Sequence, residues 1–213
     1  MARIILVLLV LGSFFISPGV LAGDFWNEKP YTQWTKEQVL NLLTRSPWAL
    51  PQQGYSVGLG PVVVWASSLT VRQAQARLRV LSNTEANQPQ SAVQPAPAEY
   101  YVIVVIRPDS VALDQQRLVA LPLDRKVNEE FIQESAYLEL KREKKKIVPS
   151  RVVFNRQGTM VFGVEFHFAK EYDGKPTIGP EETKVEFGYK NPLVDIRTQF
   201  DLRKMVRDGK PDL

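Results

Sequence analysis

The chain has 213 residues, 44% of them apolar, which excludes wholesale disorder and allows a core of ordinary size. Its formal charge of +4 is too mild for the basic balance that nucleic-acid binding calls for, and no nucleic-acid partner is expected. There is no cysteine, which excludes disulfides, thiol chemistry and cysteine-ligated metals and leaves stability to burial.

The first residues, MARIILVLLVLGSFFISPGVLA, carry one positive charge at Arg3. An apolar run from Ile4 to Ile16 follows, then Ser-Pro-Gly as a helix breaker, then the small residues Val20 and Ala22 before Gly23. This layout predicts a signal peptide over residues 1–22, leaving the mature chain a net +3. The run of thirteen residues is shorter than the ~20 needed to cross a bilayer. A retained membrane anchor is the alternative. No later segment is apolar enough to span. A secreted or periplasmic location follows as the expectation. Residues 23–213 are expected to form one α+β domain.

KPYTQWTKEQVLNLLTRSPWA, Lys29 to Ala49, reads as a capped helix. Thr35 is the expected N-cap and Gln38, three residues on, completes a capping box. Trp34 and Val39 take the two positions of a hydrophobic staple. Val39, Leu42 and Leu43 form an apolar stripe at helical spacing. Ser46-Pro47 turns the chain out of the helix. Trp34 thus has a structural reason to be aromatic, and Trp48 is expected to fold back on the same core. The alternative is an aromatic contact patch of Phe25, Trp26, Tyr31 and Trp48 for a carbohydrate or partner peptide.

Val62 to Trp65 is a β-branched apolar run, the mark of a buried strand. Thr70 to Leu81 predicts a helix with Val71, Ala74, Leu78 and Leu81 on one face. Arg72, Gln75, Arg77 and Arg79 occupy the other faces, and a solvated surface is their expected role. Clamping an anion is the alternative. Residues 82–98, SNTEANQPQSAVQPAPA, are rich in Pro, Gln, Ala and Ser and predict a flexible insertion. The strands on either side of it are expected to pair.

Tyr100 to Ile106 is a second continuous apolar run, expected as a central strand. Residues 111–121 are ambiguous, with a helical spacing of Val111, Leu118 and Leu121. Lys126 to Gln133 holds a short helix. From Ala136 onward the pattern alternates: Leu138 and Leu140 against Glu139 and Lys141, then Val152 to Phe154. Phe162, Val164, Phe166 and Phe168 stand against Val161, Gly163, Glu165 and His167. Val185, Phe187 and Tyr189, then Ile196, Thr198, Phe200 and Leu202, continue the alternation. Turn chemistry sits at Asn155 to Gly158 and at Asp173-Gly174. The fold class is α+β: amino-terminal helices with two buried strands, and a carboxy-terminal antiparallel β meander. One sheet or two packed layers both fit the pattern.

The amino-terminal motif, the VVVW strand, SSLTVRQA and the ending FDLRKMVRDGKPDL together resemble a family of secreted bacterial proteins of unknown function. The resemblance spans most of the mature chain apart from residues 82–98. It implies location and architecture, and it transfers no activity, cofactor or site residue.

Catalytic and metal signatures are sparse. His167, the single histidine, has Glu165 on its own strand face, and a solvated neighbour pair is the expected reading. One histidine makes a zinc site unexpected, and no cofactor is expected. No G-x-S-x-G, G-x-G-x-x-G or phosphate loop occurs. Ser67-Ser68 follows a strand and precedes a helix, where N-capping by Ser68 or Thr70 is the simpler role. Glu165, Glu186, Asp195 and Asp201 are the candidate acids for a glycosidase, with cross-strand charge pairing as the simpler reading.

ELKREKKKIVP, Glu139 to Pro149, is a basic run expected at a hairpin tip. Its lysines suit an acidic partner such as an anionic envelope polymer or lipid headgroup, or else protect a sheet edge from aggregation. The expected function is that of an exported, non-catalytic interaction or structural protein of the bacterial envelope. Its contact surface would be Trp26, Tyr31, Trp48, Lys144, Lys145 and Lys146, facing an unknown protein or an anionic envelope component. An exported carboxylate-dependent hydrolase and a polysaccharide-binding module are the alternatives.

Overall fold

In the computed structural model, helix α2 (Lys36–Thr44) starts where its capping box places it. The Gln38 amide donates to Thr35 Oγ1 at 3.2 Å, and the Thr35 amide donates back to Gln38 Oε1 at 3.1 Å. Trp34 and Val39, the staple pair, are both fully buried. The structure describes residues 24–52, 60–82, 92–106, 129–157, 160–191 and 194–213. The expected signal peptide at 1–22, most of the 82–98 insertion, residues 111–121 and the turn residue Gly158 lie outside them, as does the side chain of Phe162.

Ahead of α2 come a single helical turn, α1 (Phe25–Glu28), and a 3-10 turn at Tyr31–Gln33. Strands β1 (Ala49–Pro51) and β2 (Val62–Trp65) follow. Helix α3 (Leu69–Leu81) begins one residue before the expected start, because Ser68 is its N-cap and accepts from the Val71 amide at 3.1 Å. Strand β3 (Tyr100–Ile106) has the expected bounds. Helix α4 (Glu129–Glu134) overlaps the short helix expected there.

The remaining strands are β4 (Ala136–Leu140), β5 (Lys145–Ile147), β6 (Arg151–Gln157) and β7 (Met160–Ala169). After the small pair β8 (Glu171–Tyr172) and β9 (Lys175–Pro176) come β10 (Lys184–Asn191) and β11 (Val194–Asp201). The chain ends in a small hairpin, β12 (Val206–Arg207) and β13 (Lys210–Pro211). Asp173 and Gly174, between β8 and β9, both have positive φ (51° and 71°), as a tight primed turn requires.

All strand pairings among the described residues are antiparallel, and the protein is α+β with its carboxy-terminal meander divided between two sheets. The first sheet has the order β1-β2-β3-β7-β6 and the second β11-β10-β4-β5. The strand before the insertion, β2, pairs with the strand after it, β3.

The two sheets pack face to face through aromatic rings. Phe166 of β7 meets Phe187 of β10 with centroids 5.1 Å apart, and Trp65 of β2 meets Phe200 of β11 at 5.2 Å. Such edge-on pairs each add about 0.5–1.5 kcal/mol beyond their burial. The sheet pattern therefore resolves into two layers.

Helices α2 and α3 make a third layer, on the outer face of the first sheet. The register explains their position. Ala49, Val64, Val104 and Glu165 lie side by side across β1, β2, β3 and β7 on that face. So do Val102 and His167. The face is aliphatic on β2 and β3, where the helices sit, and polar on β7, where the helix layer stops.

Candidate functional site

The basic run forms the β4–β5 hairpin, with Leu140 opposite Lys145 and Lys144 at φ 54° in the turn. Its cations fall into two groups. Lys141 lies 3.3 Å from Glu139 and 3.2 Å from Glu186, two carboxylates directly opposite each other across β4 and β10. Those contacts, the one to Glu186 first, hold its ammonium above the usual lysine range. Arg142 donates from its guanidinium to Glu181 at 3.1 Å and from its amide to Glu182 at 3.2 Å. Lys144, Lys145 and Lys146 are exposed and have no carboxylate within 4.0 Å among the described residues. Aromatic rings hold two of them instead. The Lys145 ammonium stands 5.1 Å from the Tyr172 ring centre and that of Lys146 stands 4.2 Å from the Tyr137 ring centre.

Strand β5 ends the second sheet, so among the described residues one of its edges has no strand partner. Beside it opens a groove of about 360 Å³, lined among others by Ile147, Val148, Ala169 and Tyr172. Lys145 and Lys146 are its only charged lining residues among those described. Val148 (60%) and Tyr172 (63%) are two of the four large apolar side chains that stand exposed among the described residues. An unpaired edge, two lysines and two exposed apolar side chains therefore meet at one place.

The aromatic half of the expected contact surface is corrected by burial. Trp26 is 6% exposed and Trp48 is fully buried, their rings in edge contact at 5.2 Å. Trp48 Nε1 donates to the Asp212 carbonyl at 2.7 Å, so the carboxy-terminal end lies over it. Tyr31 is half-buried against Trp34. The two tryptophans are core, and Tyr31 packs against it while keeping part of its surface exposed.

His167 also departs from the expected solvent-facing pair. Only 13% of its side chain is exposed, because β7 pairs beside β3, next to the helix layer. Its Nε2 lies 3.3 Å from Glu165 Oε2, and Asn155 Nδ2 donates to Glu165 Oε1 at 3.0 Å. The hydrogen bond to His167 does most to hold the Glu165 carboxyl below the usual glutamate range, with burial opposing and Asn155 assisting. The Tyr100 ring stands edge-on to the imidazole at 5.7 Å. Asn155, Glu165 and His167 line a groove of about 530 Å³ whose other lining residues include Leu43 of α2, Arg72, Leu78 and Arg79 of α3, and Val64, Val102 and Val104 of the sheet. Asn155, which the sequence assigns to a turn, lies within β6 opposite Gly163, and the bulge next to it sets that register.

The other candidate acids are spread over the opposite outer face, on the second sheet. Glu186 accepts from Tyr137 and Lys141. Asp195 lies 3.6 Å from Lys190, its direct cross-strand neighbour. Asp201 takes a two-point contact from Arg203 at 2.9 and 2.7 Å, which holds its carboxyl down to about 2. The sandwich separates these acids from Glu165. No group of three or more His, Asp or Glu suited to a metal ion occurs among the described residues. No helix among them is long and apolar enough to cross a membrane.

Comparison with protein-family models, with curated proteins and with solved structures gave no match.

Proposed function

We propose that this is an exported, non-catalytic interaction protein of the bacterial envelope, and that it grips an extended acidic segment of a partner protein along β5. The observation that carries the reading is the coincidence of an unpaired strand edge with Lys145, Lys146, Val148 and Tyr172 around one groove. A strand added to a sheet edge takes its affinity from main-chain hydrogen bonds and its specificity from the side chains beside it. Here the lysines select acidic residues and the Val148–Tyr172 surface selects an apolar neighbour. Export is supported by the amino-terminal charge, apolar run and small-residue cleavage pattern.

Lysines at a sheet edge also discourage self-pairing. The two roles separate in a binding experiment. A labelled extended peptide alternating Glu and Val is titrated into the mature protein, with a Lys–Val peptide and anionic vesicles as comparison arms. The reading expects saturable, salt-sensitive binding of the Glu–Val peptide, weakened about tenfold by changing Lys145 and Lys146 to Ala. Equal binding of both peptides, or preferential binding of the vesicles, contradicts it.

A further inference from the structure

The groove beside α3 carries a second, independent inference, in which the hairpin takes no part. Its floor runs along β3 through Val102, Val104 and Ile106, a span of about 13 Å from the first to the last. Opposite these residues on β7 and β6 runs a polar row. His167 faces Val102, Glu165 faces Val104, and Asn155 lies beyond Gly163 from Ile106. One long wall of the groove is thus aliphatic and the other hydrogen-bonding.

The rim is cationic. Gln94 and Pro97 line the groove, and three cations donate to carbonyls of residues 92–97: Arg72 and Arg79, which also line it, and Lys170, which does not. Arg79 reaches Ala92 at 3.3 Å, Arg72 reaches Gln94 at 2.6 Å and Lys170 reaches Pro97 at 3.3 Å. A carbonyl orients a cation without neutralising it, and none of the three has a carboxylate within 4.0 Å among the described residues. Asp212, the acid that acts on Arg72 from a distance, commits its two oxygens to the Leu69 and Thr70 amides at 2.6 and 2.9 Å. Lys170 feels the surplus: burial, then the nearby Arg72 charge, pushes it below the usual lysine range. Arg72 uses Nε on Ser67 and Nη1 on Gln94, which leaves Nη2 without a partner among the described residues.

We propose that this groove binds a small amphipathic anion, its apolar body along Val64, Val102 and Val104 and its carboxylate or phosphate head at Arg72. The volume of about 530 Å³ is that of a small-molecule site, and an apolar surface with a few convergent polar groups is the usual composition of one. Charge complementarity selects the head: among the described residues the rim offers positive charge without a carboxylate within 4.0 Å, and the one carboxylate lining the groove, Glu165, is held by His167 and Asn155. Arg72 and Arg79, which the sequence pattern places on a solvated helix face, become the residues that meet the anion.

His167 makes the test direct. It is the chain's one histidine, so its imidazole gives a single, unambiguous NMR signal inside the groove. The full mature protein is titrated below the micelle threshold with decanoate, decyl phosphate, decanol and decylammonium. Decanoate or decyl phosphate should shift the His167 signal saturably, and the tighter of the two identifies the head group. Decanol and decylammonium should bind about tenfold more weakly, and added salt should weaken the anions but not decanol. Arg72→Gln should bring the anions down to the level of decanol. Val104→Phe, which fills the floor, should abolish all binding. An unmoved His167 signal with every probe overturns the proposal. So do equal responses to the anionic and cationic chains, or anion binding insensitive to salt. The salt and head-group comparisons need no variant, so a misfolded Arg72→Gln chain leaves the proposal open to refutation. Peptide binding at β5 is expected to be unchanged by Val104→Phe, which keeps the two sites' fates distinguishable.

Discussion

Tyr137 occupies the space over Gly188, the residue directly opposite it on the neighbouring strand. A Cβ at Gly188 would overlap the Tyr137 ring, which is held there by a bond from its hydroxyl to Glu186 at 3.1 Å. The same ring carries the Lys146 ammonium 4.2 Å from its centre. A bare glycine on β10 therefore helps to place a lysine of the proposed contact edge, through an aromatic ring lying between them.

Gly188→Ala is expected to expel Tyr137 and cost about 1–3 kcal/mol, the range for forcing extra atoms into a filled site. In a Tyr137→Ala background the same change should cost little. A double-mutant cycle by urea denaturation measures the difference. Equal costs in both backgrounds would show that the ring and the glycine are not coupled.

Asp212 closes the fold from the carboxy-terminal end. Its carboxylate caps α3 through Leu69 and Thr70, while its carbonyl receives the buried Trp48 indole. Asp212→Ala should cost about 1–2 kcal/mol through loss of the cap, and Asp212→Asn should keep most of that stability. The check is a lowered urea midpoint with an unchanged slope. An Asn variant as unstable as Ala would point away from capping.

Asp201 sets an acid limit. Arg203 holds its carboxyl down to about 2, against 3.8 for the unperturbed group. A depressed folded-state pKa contributes stability above the unfolded value and loses it as pH falls through the folded value. The contribution is therefore complete above about pH 4 and disappears between there and about pH 2. Solvent reaches this pair, so screening keeps the effect modest. Asp201→Asn should flatten stability against pH in that window, and Arg203→Gln should do the same. A wild-type curve with the same slope as both variants would contradict the assignment. Glu165 acts with the same sign, so Glu165→Gln should remove a further part of the acid loss.

Much of this fold is legible in the residues because the signals are local. Thr35 and Gln38 specify a helix start within four residues, and the chain obeys. Val62 to Trp65 and Tyr100 to Ile106 are apolar on both faces, and only strands covered on both sides tolerate that. Both lie between the helix layer and the second sheet.

What the pattern leaves open depends on distant pairing. Alternation along β7 fixes which residues share a face, but β3 as its neighbour puts His167 beside α3 instead of in open water. From the sequence, Trp48 folds back on the core and is also offered, with Trp26, as part of a contact patch. Their edge contact and the Asp212 carbonyl decide the matter, and that carbonyl lies 164 residues away from Trp48. One sheet and two give the same alternation, and the ring contacts of Phe166, Phe187, Trp65 and Phe200 separate them.

The proposed partner edge is tested most directly by backbone amide exchange at β5. Lys145, Lys146 and Ile147 are followed in the protein with and without the Glu–Val peptide. A segment added as a strand predicts slower exchange at the outward-facing amides of β5, and no change at those of β11 on the far edge of the same sheet. Unchanged exchange along β5 at saturating peptide would contradict the account.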